Sequence, residues 1–409
     1  MKYYFPDSQD QVDPNFDFIN ESHLIHRIRQ RDDHYAHEAL GTPPFDGILL
    51  SLAIIDGVSN SGHYNSSARI RLRREGINNF FRINQGETTI NTLGDCGAFA
   101  YVKHDVPPFS VNQVLDFNES CGISTGLSPD HIPFGFGRSD EQVISLLTSD
   151  MERRLEITLE NANEFMYKHR SGNYKFTPGA VAHGWSAKSY AKSFLKLQQM
   201  GYKFIAIGGL VPLKTTDIYS ILDEIRELKD PTVNLHLLGI SRIDAMQSFE
   251  DLGVNSLDST SPFFQAFKDA TNNFHFKDKT YSAVRVPQVH GNTKLRKLIT
   301  SGEIDQQEAE KLEKSCLKLL REFDKGSASF KSVIQVVNEY DSTTGITGNR
   351  IERITETLSE KPWKDCNCQL CRKLGIEIII FRGSERNKSR GFHNLHNLRQ
   401  RMLQQKLTE

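Results

Sequence analysis

Three of the six cysteines in this chain of 409 residues stand within eight positions, "KDCNCQLC" at 364–371, as Cys366, Cys368 and Cys371. Cys-x-Cys-x-x-Cys puts three thiolates on one compact loop, and zinc takes four such ligands at about 2.0–2.3 Å. The stretch "GFHNLHNLRQRM" (391–402) offers a fourth as His393 or His396, and His393 is favoured. Three sulfurs and one imidazole make a closed structural site, with no open position for chemistry. Three free thiols so close together would oxidise and serve no packing purpose. The other cysteines, Cys96, Cys121 and Cys316, are scattered, unlike those of a secreted disulfide scaffold. A reducing, cytoplasmic setting is expected, and there a tight cluster binds metal.

A second set of residues is spread through the chain. Asp95 lies in "LGDCGAFAY", Asp130 in "GLSPDHIPFGFG" and Asp258 in "NSLDSTSP", each near the end of a short apolar run. A lone aspartate at a strand end is more often a helix cap or a turn residue. Three on separate strands, with glycines alongside, form a constellation. Gly208 and Gly209 in "IGGL" leave room for a flat ligand to meet the backbone. Phe99 could stack on such a ligand. Paired carboxylates flanking a glycosidic bond are the usual apparatus for cleaving it.

The elements that must position these residues read as α/β. "ILLSLAII" (48–55), "GISTGLS" (122–128), "GAVAHG" (179–184), "FIAIGGL" (204–210), "VNLHLLGI" (233–240) and "VNSLDST" (254–260) resemble buried parallel strands. Amphipathic stretches lie between them, at 186–201 and 215–230 for example. No glycine-rich dinucleotide fingerprint follows the first strand. Polar residues stand at the ends of several strands, so a TIM (β/α)8 barrel is preferred over an open sheet.

The expected organisation is an N-terminal extension (1–45), the barrel (46–270), a helical insertion packed outside it (271–355) and a zinc-binding subdomain with a basic tail (356–409). A β strand is expected at "IEIIIF" (376–381). The start lacks the pattern of a signal peptide, and no apolar run is long enough to span a membrane. The net charge of -1 gives no global nucleic-acid signature, so local patches matter more.

"DCGAF", "SPDH", "AVAHGW", "AIGGLV", "LLGIS", "SLDSTSP" and "CNCQLC…FHN", in this order, resemble the queuine/archaeosine tRNA-guanine transglycosylase family. The resemblance is to its DNA-modifying branch in particular, which exchanges guanine in DNA for a 7-deazaguanine. It covers about 46–270 and 360–403. It implies Asp258 as the nucleophile, forming a covalent Asp–deoxyribosyl intermediate, and Asp95 as general acid/base. It implies that Asp130 reads the guanine edge, that Gly208 and Gly209 contact the base carbonyl, and that Phe99 and Leu238 sandwich the ring. His183 stands where the tRNA enzymes carry glutamine, and would donate one hydrogen bond to the base. Cys96-Gly97 replaces a serine-glycine pair, with Cys96 read as a small buried residue. Phe263 and Phe264 stand where a basic residue follows the nucleophile in the tRNA enzymes, which disfavours tRNA as substrate.

Two basic clusters could track a phosphate backbone: Arg69, Arg71, Arg73 and Arg74, and the tail with Arg382, Arg386, Lys388, Arg390, Arg399, Arg401 and Lys406. A stacked base is out of reach until it is flipped or the strands open, so an ATP-driven partner protein is an expected companion. The implied activity is replacement of guanine in DNA by 7-cyano-7-deazaguanine (preQ0), with structural zinc and no nucleotide cofactor. The alternatives are the same exchange on tRNA, a non-catalytic nucleic-acid-binding subunit of the same fold, and a zinc-stabilised glycoside hydrolase that releases guanine without inserting a base.

Overall fold

The structure, a computed structural model, describes residues 1–7, 9–58, 64–84, 89–345 and 350–407, with residues 406 and 407 described by their backbone alone. Eight parallel strands close into a barrel in chain order. They are β1 (Lys2–Pro6), β2 (Gly47–Ser51), β3 (Asn91–Asp95), β4 (Thr125–Leu127), β5 (Thr177–Ala182), β6 (Phe204–Ile207), β7 (Asn234–Leu237) and β8 (Val254–Asp258). The barrel closes where Tyr3 pairs with Leu257 and Tyr4 with Asp258. Tyr4, Leu49, Leu93, Leu127, Val181, Phe204 and Ala206 pack as one cluster, so six strands each send side chains inward. The interior is thus a filled core, and function is left to the loops at the strand ends.

The helices between the strands follow from their sequence pattern. Ala187–Gln199 starts at the capping residue Ser186, whose hydroxyl accepts from Ser189 N–H. Thr215–Arg226 buries Ile218, Ile221, Leu222 and Ile225, spaced three and four apart on one face. Val111–Cys121 brings Asn118 so close to the sheet that a Cβ at Gly94 would lie 2.0 Å from Asn118 Oδ1. One at Gly126 would lie 2.4 Å from Asn118 Cγ. Glycine in β3 and β4 is the means by which a buried polar side chain fits there.

The chain divides into two compact units: Met1–Gln9 with Phe45–Thr260, and Asp10–Pro44 with Ser261–Glu409. The first unit holds the barrel. Lys2–Pro6 is one of its strands, so residues 1–45 are not a single extension; "KYYFP" is short and its proline masks the strand signal. β3 was absent from the strands expected, because "NTLGD" carries one large apolar residue, Leu93. In the second unit, residues expected as a helical insertion and as a zinc subdomain are one body together with 10–44.

That second unit contains the helices Ser261–Lys268, Thr293–Thr300, Gln306–Asp324, Phe330–Thr344, Ile351–Glu360 and Gly383–Leu407, and a hairpin of Phe274–Phe276 with Lys279–Tyr281. The strand expected at 376–381 is mostly a 3-10 turn, Gly375–Ile379, and only Ile380–Phe381 is extended. Ile376, Ile378, Ile379 and Ile380 are all buried. A run enclosed on every side lacks the alternation that marks a strand, and its branched side chains reflect burial alone. Among the described residues no helix is long and apolar enough to cross a membrane.

Candidate active site

Parallel strands in a closed barrel put all their C-terminal ends at one mouth. Asp95 ends β3 and Asp258 ends β8. Asp130 follows β4, His183 follows β5, Gly208 and Gly209 follow β6, and Leu238 follows β7. Six loops of one unit therefore bring these residues to the same rim.

Asp95 and Asp130 are brought together. Carboxylate oxygens of both and the sulfur of Cys96 lie within 4.8 Å of one another. Asp95 Oδ2 accepts Gly97 N–H at 2.9 Å. Gly97 has φ 80°, and a Cβ there would meet Ser51 Oγ at 2.2 Å, so this turn requires glycine. Burial, then the negative charges of Asp130 and Asp258, push the Asp95 carboxyl up to about 8. Cys96 is fully buried, and its S–H reaches Ser128 O at 3.4 Å and Asp130 Oδ1 at 3.6 Å. Burial pushes that thiol up, in keeping with a packing role.

Asp130 and His183 form a buried pair, with His183 Nε2 2.7 Å from Asp130 Oδ2. An ionised carboxylate only accepts, so Nε2 carries the proton. His183 Nδ1 is buried and has no hydrogen-bond partner among the described residues. Gly208 makes room for this ring, since a Cβ there would lie 2.3 Å from His183 Cε1. Its N–H donates to Ala182 O at 3.1 Å and its carbonyl accepts from Tyr190 OH at 3.0 Å. The backbone contact to a base expected of Gly208 is therefore already taken up by protein. Gly209, at φ 73°, lies beside the unpartnered nitrogen; a Cβ there would be 3.6 Å from His183 Nδ1.

Asp258 is held from below. Its Oδ1 accepts Gly239 N–H at 3.0 Å and lies 3.1 Å from His236 Nε2. His236 stands inside β7 and escaped the sequence reading, because a single histidine among apolar strand residues looks like ordinary core. Leu238 is half-buried on the barrel core. Phe99 is 51% exposed on a 3-10 turn, and its ring neighbour is Phe134, 43% exposed, at 6.1 Å between centroids.

In the second unit Cys366, Cys368, Cys371 and His393 converge as one buried group. His393 Nδ1 lies 3.6, 3.5 and 3.3 Å from the three sulfurs in that order. A tetrahedral zinc would set sulfur and nitrogen about 3.6 Å apart, so the donor set fits that ion. His393 Nε2 donates to His275 O at 2.6 Å, which leaves Nδ1 as the ligating nitrogen. Phe274 stacks on the ring at 4.0 Å. His396 is not in the group.

The basic tail does not present its charges as expected. Arg382, Arg386 and Arg390, four apart, are all buried. Arg382 pairs with Glu21 at 2.5 Å and Glu313 at 2.7 Å, and Arg386 with Glu21 at 2.8 Å and Glu377 at 2.7 Å. Arg390 donates to the carbonyls of Ala266, Ile378 and Ile380. Lys388 faces Asp10 at 3.6 Å and Arg401 faces Asp278 at 3.1 Å. Arg382 stands just before the helix Gly383–Leu407, and Arg386 and Arg390 stand one turn apart within it; the first two meet carboxylates and the third meets backbone carbonyls, all within this unit. The Lys406 side chain lies outside the described residues. In the other cluster Arg73 pairs with Asp56, and Arg71 and Arg74 both pair with Glu75, Arg74 with its side chain largely exposed.

No protein-family model matches the chain. A curated protein of Salmonella montevideo, "DNA-guanine transglycosylase", is similar: the two are 44% identical over an alignment 409 positions long that covers 98% of this chain and 96% of that protein.

Proposed function

This chain belongs to the DNA-guanine transglycosylases, which are glycosyltransferases, and on that premise we propose that it exchanges guanine in DNA for 7-cyano-7-deazaguanine. Asp258 attacks C1′ of the target deoxyribose. The C1′–N9 bond breaks with its electron pair passing to guanine, and Asp95 gives the departing base a proton. A covalent Asp–deoxyribosyl ester remains. The incoming deazapurine then surrenders its N9 proton to Asp95 and attacks C1′, and Asp258 leaves as carboxylate. No energy source is needed, since one glycosidic bond replaces another.

The observation that carries this reading is the placing of Asp95, Asp130 and Asp258 at one barrel mouth, where burial and the charges of the other two carboxylates raise the Asp95 carboxyl. An acid with a pKa near the working pH can both give and take a proton within one cycle. The Asp130–His183 pair is the base-reading unit, with Asp130 accepting from the N1 and amino hydrogens and His183 Nδ1 turned to the ligand beside Gly209. Phe99 and Leu238 cover the ring faces. Zinc on Cys366, Cys368, Cys371 and His393 holds its segment of chain together and takes no part in the exchange. Duplex opening falls to an ATP-driven partner.

The test is incorporation of radiolabelled 7-cyano-7-deazaguanine into DNA carrying unpaired guanines, with tRNA run in parallel and Asp258→Ala as control. Label in DNA that disappears in the variant is expected. Equal label with both proteins rejects the nucleophile, and label in tRNA alone rejects DNA as substrate. Guanine release without any insertion would instead mark a hydrolase.

A further inference from the structure

Resting on the reading of Asp258 as nucleophile, we propose that His236, oriented by Ser256, is a positioning residue that selects the attacking oxygen and speeds the second half of the exchange. His236 is fully buried in β7, with its ring between Tyr4 and Phe204 at 5.6 and 5.7 Å. Its Nδ1 lies 2.8 Å from Ser256 Oγ, and its Nε2 lies 3.1 Å from Asp258 Oδ1. His236 and Ser256 are directly paired across β7 and β8. The ring is thus anchored to its strand neighbour and reaches two residues further, to the carboxylate.

The proton positions follow from the partners. Ionised Asp258 only accepts, so His236 Nε2 carries hydrogen. In the neutral ring Nδ1 then holds a lone pair, and the Ser256 hydroxyl donates to it. Gly239 N–H points to the same oxygen at 3.0 Å. Oδ1 therefore has two donors, while Oδ2 accepts no hydrogen bond among the described residues. The less engaged oxygen is the better nucleophile, so Oδ2 attacks and Oδ1 becomes the ester carbonyl. When the C1′–Oδ2 bond breaks, the electron pair returns to the carboxylate, and the two N–H groups stabilise the charge as it forms. The same donors restrain attack in the first half. Their removal therefore slows ester resolution far more than ester formation. A histidine that only filled the core would slow both alike.

The experiment follows the covalent protein–DNA species. Enzyme and DNA with an unpaired guanine are mixed, 7-cyano-7-deazaguanine is added to chase the ester, and samples are quenched in denaturant at intervals before and after that addition. In His236→Leu the species is expected to form at close to the native rate and resolve about 10- to 100-fold more slowly, the effect of losing one hydrogen bond to a charged group. His236→Gln, which keeps a donor in reach of Oδ1, is expected to recover most of the resolution rate. Native resolution in His236→Leu, or equal slowing of both steps that glutamine fails to rescue, overturns the proposal. Should His236→Leu not fold, Ser256→Ala reads the same step by freeing the ring to turn from Oδ1; slower resolution supports the proposal and native resolution overturns it. Asp258→Ala separates this inference from its premise. If the native protein forms an ester that Asp258→Ala lacks, the nucleophile stands whatever His236 does. If ester formation does not depend on Asp258, the premise falls and His236's role with it.

Discussion

His183 Nε2 stands 2.7 Å from Asp130 Oδ2, and both side chains are buried beside Gly208 and Gly209. Neither residue can be changed without stranding the other. His183→Ala leaves a buried carboxylate oxygen without its donor, and losing a hydrogen bond to a charged group costs about 1.5–3 kcal/mol. KM for the incoming base is expected to rise about 10- to 100-fold at that cost. His183→Gln, which keeps a donor, should lose much less. Gly208→Ala should resemble His183→Ala, because its methyl group displaces the ring. Steady-state kinetics with the free base as variable substrate checks all three.

The Asp95 carboxyl near 8 predicts a pH dependence of both rate and stability. The unfolded carboxyl titrates near 3.9, so between about 4 and 8 the folded chain holds the extra proton. The native state is then favoured below that window and loses stability as pH rises through it. Asp95→Asn removes the titration, and is expected to be more stable than the native protein at pH 8 by on the order of 1–3 kcal/mol, and inactive. Thermal unfolding of both proteins from pH 5 to 9 measures this. Guanine release should fall above about pH 8, where the proton donor is lost.

One zinc per chain is expected by elemental analysis. His393→Ala and Cys371→Ser should lose it, and His396→Ala should retain it, since the His396 ring is not in the ligand group. Chelation should lower the unfolding temperature, because zinc binding free energy is folding free energy in such sites. A zinc content unchanged in His393→Ala would rule out this ligand set.

Arg386→Ala leaves Glu21 and Glu377 facing one fewer cation in a buried network. The expected loss of stability is about 3–5 kcal/mol. The slope of DNA affinity against salt should not change, because the guanidinium meets carboxylates and no phosphate. Binding titrations at several salt concentrations, with denaturant unfolding, separate these outcomes.

Local rules carried much of the architecture. Apolar runs between amphipathic helices gave a parallel barrel. Three cysteines in eight residues gave a metal loop, and aspartates at the ends of such runs pointed to one mouth of the barrel. These features depend on residues near one another in the chain, where spacing decides what shares a loop, a face or a strand end. The rest depended on what lies opposite. Arg382, Arg386 and Arg390 read as a surface for phosphate until Glu21, Glu313 and Glu377 filled the other side. His236 carried no signal of its own until Asp258, 22 residues on, met its ring. Gly208 read as an approach for a base until His183 took the space. A buried charge or imidazole is stable only with its partner, and only the closed fold determines which distant residue that partner is.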